Sequence, residues 1–206
     1  MALPDGTALE VGEAEPPLRL RATDALAAAL GVLTLAVLLP PMEALFAGLF
    51  WLLVVVVVRS DLDRYLIPDP ASLGIAATGL AQAWWIGGGT GAAWALAQGA
   101  GAGAAVLAVR IAYRWLRGQE GIGFGDVKLA AALGLWLDPF AQALALQLAA
   151  MAALGVVLAA RALGGRGDPE AAGGMTLVPF GAFMAPAGFA VHVWSLAVPD
   201  GWGGWP

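Results

Sequence analysis

The sequence predicts an all-α fold, a polytopic membrane bundle of about six to seven transmembrane helices with its N-terminus in the cytoplasm. Three observations carry that expectation. Of the 206 residues, 60% are hydrophobic and only 12% are charged, with a mean hydropathy of +0.80. Soluble domains carry about a quarter charged residues, so this inventory cannot furnish an aqueous surface. Long apolar runs recur along the whole chain, as several helical spans require. Every lysine and arginine also falls on one side of the membrane once those runs are threaded in order.

Composition narrows the function as well. The length suits one bundle and no second sizeable domain. The chain has no cysteine, which excludes disulfides and thiolate metal sites. Its lone histidine, His192, is too little for a histidine-based metal centre. No basic, aromatic-interleaved stretch points to nucleic acid. No cofactor and no metal is therefore expected. The net charge of -5 says little, because in a membrane protein the placement of charge matters more than its sum.

In chain order, residues 1–23 read as a polar cytoplasmic tail, rich in acid and proline and ending in PPLRLRATD. The apolar run 25–39 imitates a signal peptide. The tail ahead of it is acidic, however, and another apolar run follows almost at once, so an uncleaved anchor is predicted. After Pro40-Pro41, residues 44–58 contain LLVVVVV, β-branched yet long enough to continue into a span. RSDLDRYLIPDP then reads as a polar loop. Further spans are predicted over 71–86, 92–115, 139–160 and 177–198. Residues 24–198 thus make the membrane domain, and 199–206 a short external tail.

Residues 127–137 are harder to place. Eleven helical residues reach only about 16 Å, against a hydrocarbon core of roughly 30 Å. Two readings stay open: a thin span, or a segment that enters the membrane and turns at Asp138-Pro139.

Counting this segment and its successor as one out-and-back unit puts Arg19, Arg21, Arg59, Arg64, Arg110, Arg114, Arg117, Lys128, Arg161 and Arg166 on the cytoplasmic side. Glu43, Asp138 and Asp200 fall outside. Trp84, Trp85, Trp94, Trp136, Trp202 and Trp205 then form an outer aromatic belt.

Two cytoplasmic stretches set aspartates beside apolar spans. DLDRYLIPD carries Asp61, Asp63 and Asp69, and GFGD carries Asp126. Ionisable groups at the hydrocarbon boundary are expensive, so each needs a reason. Asp69 reads as a helix N-cap ahead of Pro70, and Asp63 as a solvated loop neighbour of Arg64. Asp61, at the end of a span, is placed for partial burial. Asp126 reads as the cap of a helix starting at Val127, or as something more. The glycines at 121, 123 and 125 permit close backbone approach or positive φ. A phosphate-cradling loop is not indicated, since no strand precedes this turn and the P-loop Lys-Ser/Thr is absent.

Two aspartates on one membrane face, from loops distant in sequence, are what an aspartyl protease needs. One carboxylate acts as base on a water, and the other, protonated, polarises the scissile carbonyl. Close carboxylates share a proton because both cannot ionise cheaply. A Ser-His-Asp set would need His192, mid-way along the last span, which reads instead as a hydrogen-bonded helix residue. GAGAGAA at 99–105 reads as helix packing. Lys128 either sets topology or helps position the charge of Asp126. Pro179 breaks the first turn of the last span, and Gly181 loosens it.

DLDRYLIPD, GFGDVKLAAALG and VPFGAFMAPA (178–187) together resemble, in order and spacing from about residue 44 to 198, the motifs of the type IV prepilin peptidases. These are GxGD-type aspartyl proteases of bacterial and archaeal membranes. Ala182 stands where the family's late motif has its second proline. The resemblance implies Asp61 and Asp126 as the catalytic pair, with Gly123, Gly125, Asp63, Asp69, Lys128, Pro179 and Gly181 in support. It implies cleavage of the short basic leader of a prepilin or pseudopilin at the cytoplasmic face of the inner membrane, in a type IV pilus or type II secretion setting. The partners implied are that substrate's N-terminal segment and the lipid bilayer.

Full-length bacterial members carry a cysteine-bearing N-terminal region linked to N-methylation. This chain resembles the shorter, peptidase-only members, so cleavage without methylation is expected. A presenilin-like activity is not indicated, since neither a Tyr-Asp first motif nor a Pro-Ala-Leu late motif is present. The alternative from another class is a small proton-coupled carrier using Asp61 and Asp126 as relay carboxylates. Against it, neither aspartate is mid-span and no inverted repeat is apparent. An enzyme-dead scaffold is a third reading.

Overall fold

The computed structural model describes residues 20–163 and 178–198, and the elements it forms there are all helices. They are α1 (Ala22–Leu38), α2 (Pro41–Arg64), α3 (Asp69–Arg117), α4 (Phe124–Leu133), α5 (Pro139–Ala162) and α6 (Gly181–Ala197). Inside hydrocarbon only a helix or a closed barrel satisfies every backbone polar group, and α2, α3 and α5 are long and apolar enough to cross a membrane. With the shorter apolar helices α1 and α6, the chain is a multi-pass membrane protein. Residues 1–19 of the tail expected at 1–23, and the tail expected at 199–206 with Trp202 and Trp205, lie outside the described residues.

Prolines set several of the boundaries. Pro41, Pro70 and Pro139 each sit in a first helical turn, where a missing N–H is harmless and the fixed φ suits the helix. Asp138 caps α5, accepting from Phe140 N–H at 2.8 Å and Ala141 N–H at 3.0 Å. As a continuous 49-residue helix, α3 would run about 73 Å, far beyond any bilayer. It is broken at Gly88, whose φ of 58° and ψ of −146° are open essentially to glycine alone. Both ends of α3 reach the start of α4, through Asp69–Lys128 and Arg110–Ile122, so the chain doubles back at Gly88. The two predicted spans 71–86 and 92–115 are its two halves.

The structure also decides the segment after Asp126. Helix α4 has ten residues, about 15 Å, too short to span alone. It stops at Leu133 and passes through a turn in which Trp136 N–H donates to Leu133 O at 2.9 Å. Asp138 then starts α5, so the chain turns at Asp138-Pro139, as the second of the two open readings has it. Small residues let α4 lie close on α3, as the GAGAGAA stretch suggested. A Cβ on Gly134 would come within 2.8 Å of Gly99 Cα, and one on Gly99 within 2.8 Å of Ala131 O.

This turn corrects one member of the expected aromatic belt. Trp84, Trp85 and Trp94 are exposed, but Trp136 is only 8% exposed. Its ring stacks on Phe50 at 4.4 Å, and its Nε1–H donates to Ile75 O at 2.8 Å. The turn tucks the indole into the bundle, where burial and a carbonyl acceptor replace the interface. His192 is buried beside it, edge-on at 4.9 Å, and its Nε2 has no hydrogen-bond partner among the described residues. At that nitrogen the expected hydrogen bond is not made, and aromatic packing holds the ring.

A second correction concerns the polar stretch from Arg59. It is not loop but the last turns of α2. Arg59 pairs with Asp63 one turn on (2.7 Å) and with Asp24 of α1 (3.4 Å), so its charge is matched along the helix. The connection to α3 is only residues 65–68, opened by Tyr65 in the left-handed region at φ 53°.

Candidate active site

Three segments far apart in sequence meet where α2 ends and α4 and α6 begin. Asp61, in the last turns of α2, is 4% exposed. Next to it Ser60 donates its hydroxyl to Leu66 O at 2.7 Å, drawing the 65–68 connection back onto α2. Ile67, 7% exposed, then wedges between the first turn of α4 and the start of α6. A Cβ on Gly125 would lie 3.3 Å from Ile67 Cβ, and one on Gly181 only 2.6 Å from Ile67 Cδ1.

Gly181 is the first residue of α6, with Phe180 at the cap. The same hypothetical Cβ would lie 3.1 Å from Asp61 Oδ2, so a side chain here would push α6 away from the carboxylate. With hydrogen in its place, Ala182 N–H donates to Asp61 Oδ2 at 2.7 Å, and the Gly181 N–H also bears on that carboxylate. A helix N-terminus favours negative charge. This corrects the expectation for Pro179 and Gly181. Pro179 precedes α6 rather than breaking its first turn, and Gly181 permits close approach rather than loosening the helix. A proline at 182 would have had no N–H to give.

Helix α4 begins at Phe124 with Gly123 at the cap, not at Val127. Asp126 is therefore the third helical residue, and its Oδ2 reaches back to accept from Gly123 N–H at 3.2 Å. Burial pushes its carboxyl up, and the neighbouring Asp61 charge pushes it further. The Gly123 N–H and the Arg110 guanidinium pull it down, and it settles at about 6. The two aspartates named from the sequence are thus brought together and interact electrostatically.

The supporting residues divide differently from expectation. Asp63 is no solvated loop residue, since it sits in α2 and pairs with Arg59. Asp69 does not cap α3. Pro68 holds the cap position, and Asp69 Oδ1 accepts from Lys128 Nζ at 2.6 Å. Lys128 also lies 5.2 Å from the Phe124 ring centroid. Its ammonium ties α3 to α4, and the cation acting on Asp126 is Arg110. Among the described residues no group of three or more His, Asp or Glu is placed to hold a metal ion.

Sequence reasoning did not single out Ile67, Ala182 or Arg110 for the site. Ala182 acts through its backbone N–H, which no side-chain pattern reports, and Arg110 was absorbed into the topology count.

Residues 46–160 match the model of the type IV leader peptidase family, a stretch that contains both Asp61 and Asp126. The chain is 33% identical over 147 residues to a prepilin leader peptidase/N-methyltransferase of Xanthomonas campestris pv. campestris, covering 69% of this chain and 47% of that protein. It is 32% identical over 171 residues to the protein of the same name from Aeromonas hydrophila, covering 82% and 56%. Against the leader peptidase HopD of Escherichia coli it is 40% identical over 79 residues, covering 38% and 48%. The chain spans about half the length of these curated relatives. No solved structure matches it. A family match over more than half the chain, enclosing both aspartates, places this protein in the type IV leader peptidase family.

Proposed function

We propose that this protein is a membrane aspartyl endopeptidase that removes the short basic leader of a prepilin or pseudopilin. It works at the cytoplasmic face of the inner membrane, with Asp61 and Asp126 as its catalytic pair. The observation that carries this reading is the meeting of the two carboxylates, one from the end of α2 and one from the start of α4, in a chain of this family.

Their surroundings divide the work. Asp61 accepts a backbone N–H at the start of α6, an environment suited to a negative charge. The two carboxylates share one proton, and we draw it on Asp126, whose carboxyl is pushed up to about 6; substrate covering the site excludes water and pushes it the same way. Asp61 takes a proton from water, and the oxygen attacks the scissile carbonyl. Asp126 gives its proton to the carbonyl oxygen, and collapse of the tetrahedral intermediate returns a proton to the leaving amine. The relay-carrier alternative gains no support from a pair placed at helix ends.

The test is cleavage of a synthetic prepilin N-terminal segment by the purified full chain. Asp61→Asn and Asp126→Asn should each lower the rate by about 10²–10⁴-fold or more, with membrane insertion unchanged. Cleavage near the wild-type rate by either variant would reject the pair.

A further inference from the structure

We propose that Arg110 is a positioning residue for Asp126. Its guanidinium bolts the glycine-rich turn ahead of α4 to the end of α3 and sets a fixed positive charge beside the Asp126 carboxylate. The inference deepens the peptidase reading and rests on it for its catalytic meaning.

Three residues of α3 at helical spacing, Arg110, Tyr113 and Arg114, share one face and grip residues 120–122. One arm of the Arg110 fork donates to Ile122 O. The other donates to Glu120 Oε2 at 2.9 Å, and Arg114 reaches Glu120 Oε1 at 3.6 Å. The Tyr113 ring covers Gly121 so closely that a Cβ there would sit 2.4 Å from Cε1. Gly123 follows directly, and its N–H is the group Asp126 accepts.

Membrane topology asks for a cation at this level, and Arg114, 68% exposed, satisfies that demand. Topology does not ask for a guanidinium only 16% exposed with both arms on the turn that delivers Asp126. A planar fork can hold two acceptors at fixed geometry, whereas an ammonium is a point charge.

The charges around Asp126 leave Arg110 a distinct part. Helix α2 contributes Asp61, and α3 contributes Arg110, itself paired with Glu120. On α4 the nearby Lys128 is held by Asp69 from the start of α3. The first turn of α6 has no titratable side chain, and its His192 lies about three turns further on. Arg110 is thus the cation that opposes burial and Asp61.

The test uses the full chain in detergent, comparing wild type with Arg110→Lys, Arg110→Gln and Asp126→Asn. Two readouts need no substrate. Hydrogen exchange follows the amides of 118–125. Infrared titration follows the Asp126 carboxyl band, isolated by subtracting the Asp126→Asn spectrum. Arg110→Lys should speed exchange in the turn by about tenfold or more and leave the titration in place, because the charge stays while the fork is lost. Arg110→Gln should do both, moving the midpoint up by roughly half a unit, below the range for directly paired charges. In cleavage, both should lower kcat by about tenfold to a hundredfold with KM little changed.

Unaltered exchange and an unmoved midpoint in Arg110→Gln would overturn the proposal. If Arg110→Gln does not insert, Glu120→Gln tests the same clamp. Faster exchange at 118–122 supports the proposal, and wild-type exchange overturns it. A wild-type chain that cleaves no leader, with the exchange and titration effects intact, would sink the peptidase reading and leave the role of Arg110 standing.

Discussion

Adding one methyl group at Gly181 tests how closely the site is built. An ordinary carbon–carbon contact is about 3.5–4.0 Å, and the new Cβ would meet Ile67 Cδ1 at 2.6 Å, Ile67 Cγ1 at 2.9 Å and Asp61 Oδ2 at 3.1 Å. About 1 Å must be found. Ile67 has little room to supply it, because it is only 7% exposed and packed into the core cluster. The start of α6 must move instead. A 1 Å withdrawal would stretch the 2.7 Å bond from Ala182 N–H to Asp61 beyond hydrogen-bonding range. Overpacking costs about 1–3 kcal/mol, and losing a hydrogen bond to a charged group costs about 1.5–3 kcal/mol. Displacing catalytic groups by this distance lowers rate by about a hundredfold. Gly181→Ala should therefore lower kcat on a leader peptide by about a hundredfold and reduce thermal stability. Gly181→Ala with Ile67→Ala, which vacates the clashing atoms, should recover much of the stability and part of the rate. The measurements are cleavage kinetics and thermal unfolding of the two variants and of Ile67→Ala alone. Wild-type kcat in Gly181→Ala, or a double variant no better than the single one, would refute the reasoning.

The remaining predictions follow from the same contacts. Asp126, at about 6 against an ordinary 3.8, has its proton favoured by the folded state. Its contribution to stability is complete below about pH 4 and is lost as pH rises through about 6. Thermal unfolding midpoints should fall over that window in wild type, and Asp126→Asn should remove that part of the slope. An unchanged slope would discount the shift. Trp136→Ala should cost about 3–5 kcal/mol by emptying a core position, measured by denaturation, with cleavage by the surviving folded fraction near wild type. Breaking the exposed Asp69–Lys128 pair with Asp69→Asn should change stability by no more than about 1 kcal/mol and lower cleavage far less than Asp61→Asn or Asp126→Asn. A loss as deep as that of Asp61→Asn would return Asp69 to the chemistry.

What the sequence determined by itself was the class, the spans and two aspartates that the fold brings together. Helix is obligatory where lipid offers no partner to backbone groups, so apolar runs and prolines placed α2, α5 and both halves of α3 within a few residues. The exception was the end of α2, where Arg59 and Asp63 read as loop until their mutual pairing showed how a polar stretch stays helical. Asp61 and Asp126 were legible because a carboxylate at the hydrocarbon boundary is costly and two of them flank apolar spans. Their partners were not legible. Asp69 meets Lys128 59 positions away, Trp136 meets Ile75 61 away, and Ala182 meets Asp61 121 away. A local pattern reports which face a residue occupies and which cap it can make, and at Asp69 the expected cap yielded to a distant ammonium. Only the tertiary structure decided that Gly181 must be small, that Ile67 sits between the starts of α4 and α6 and that the charge of Arg110 acts on Asp126. Each depends on where another helix passes, and the reversal at Gly88 and the turn after α4 set those paths.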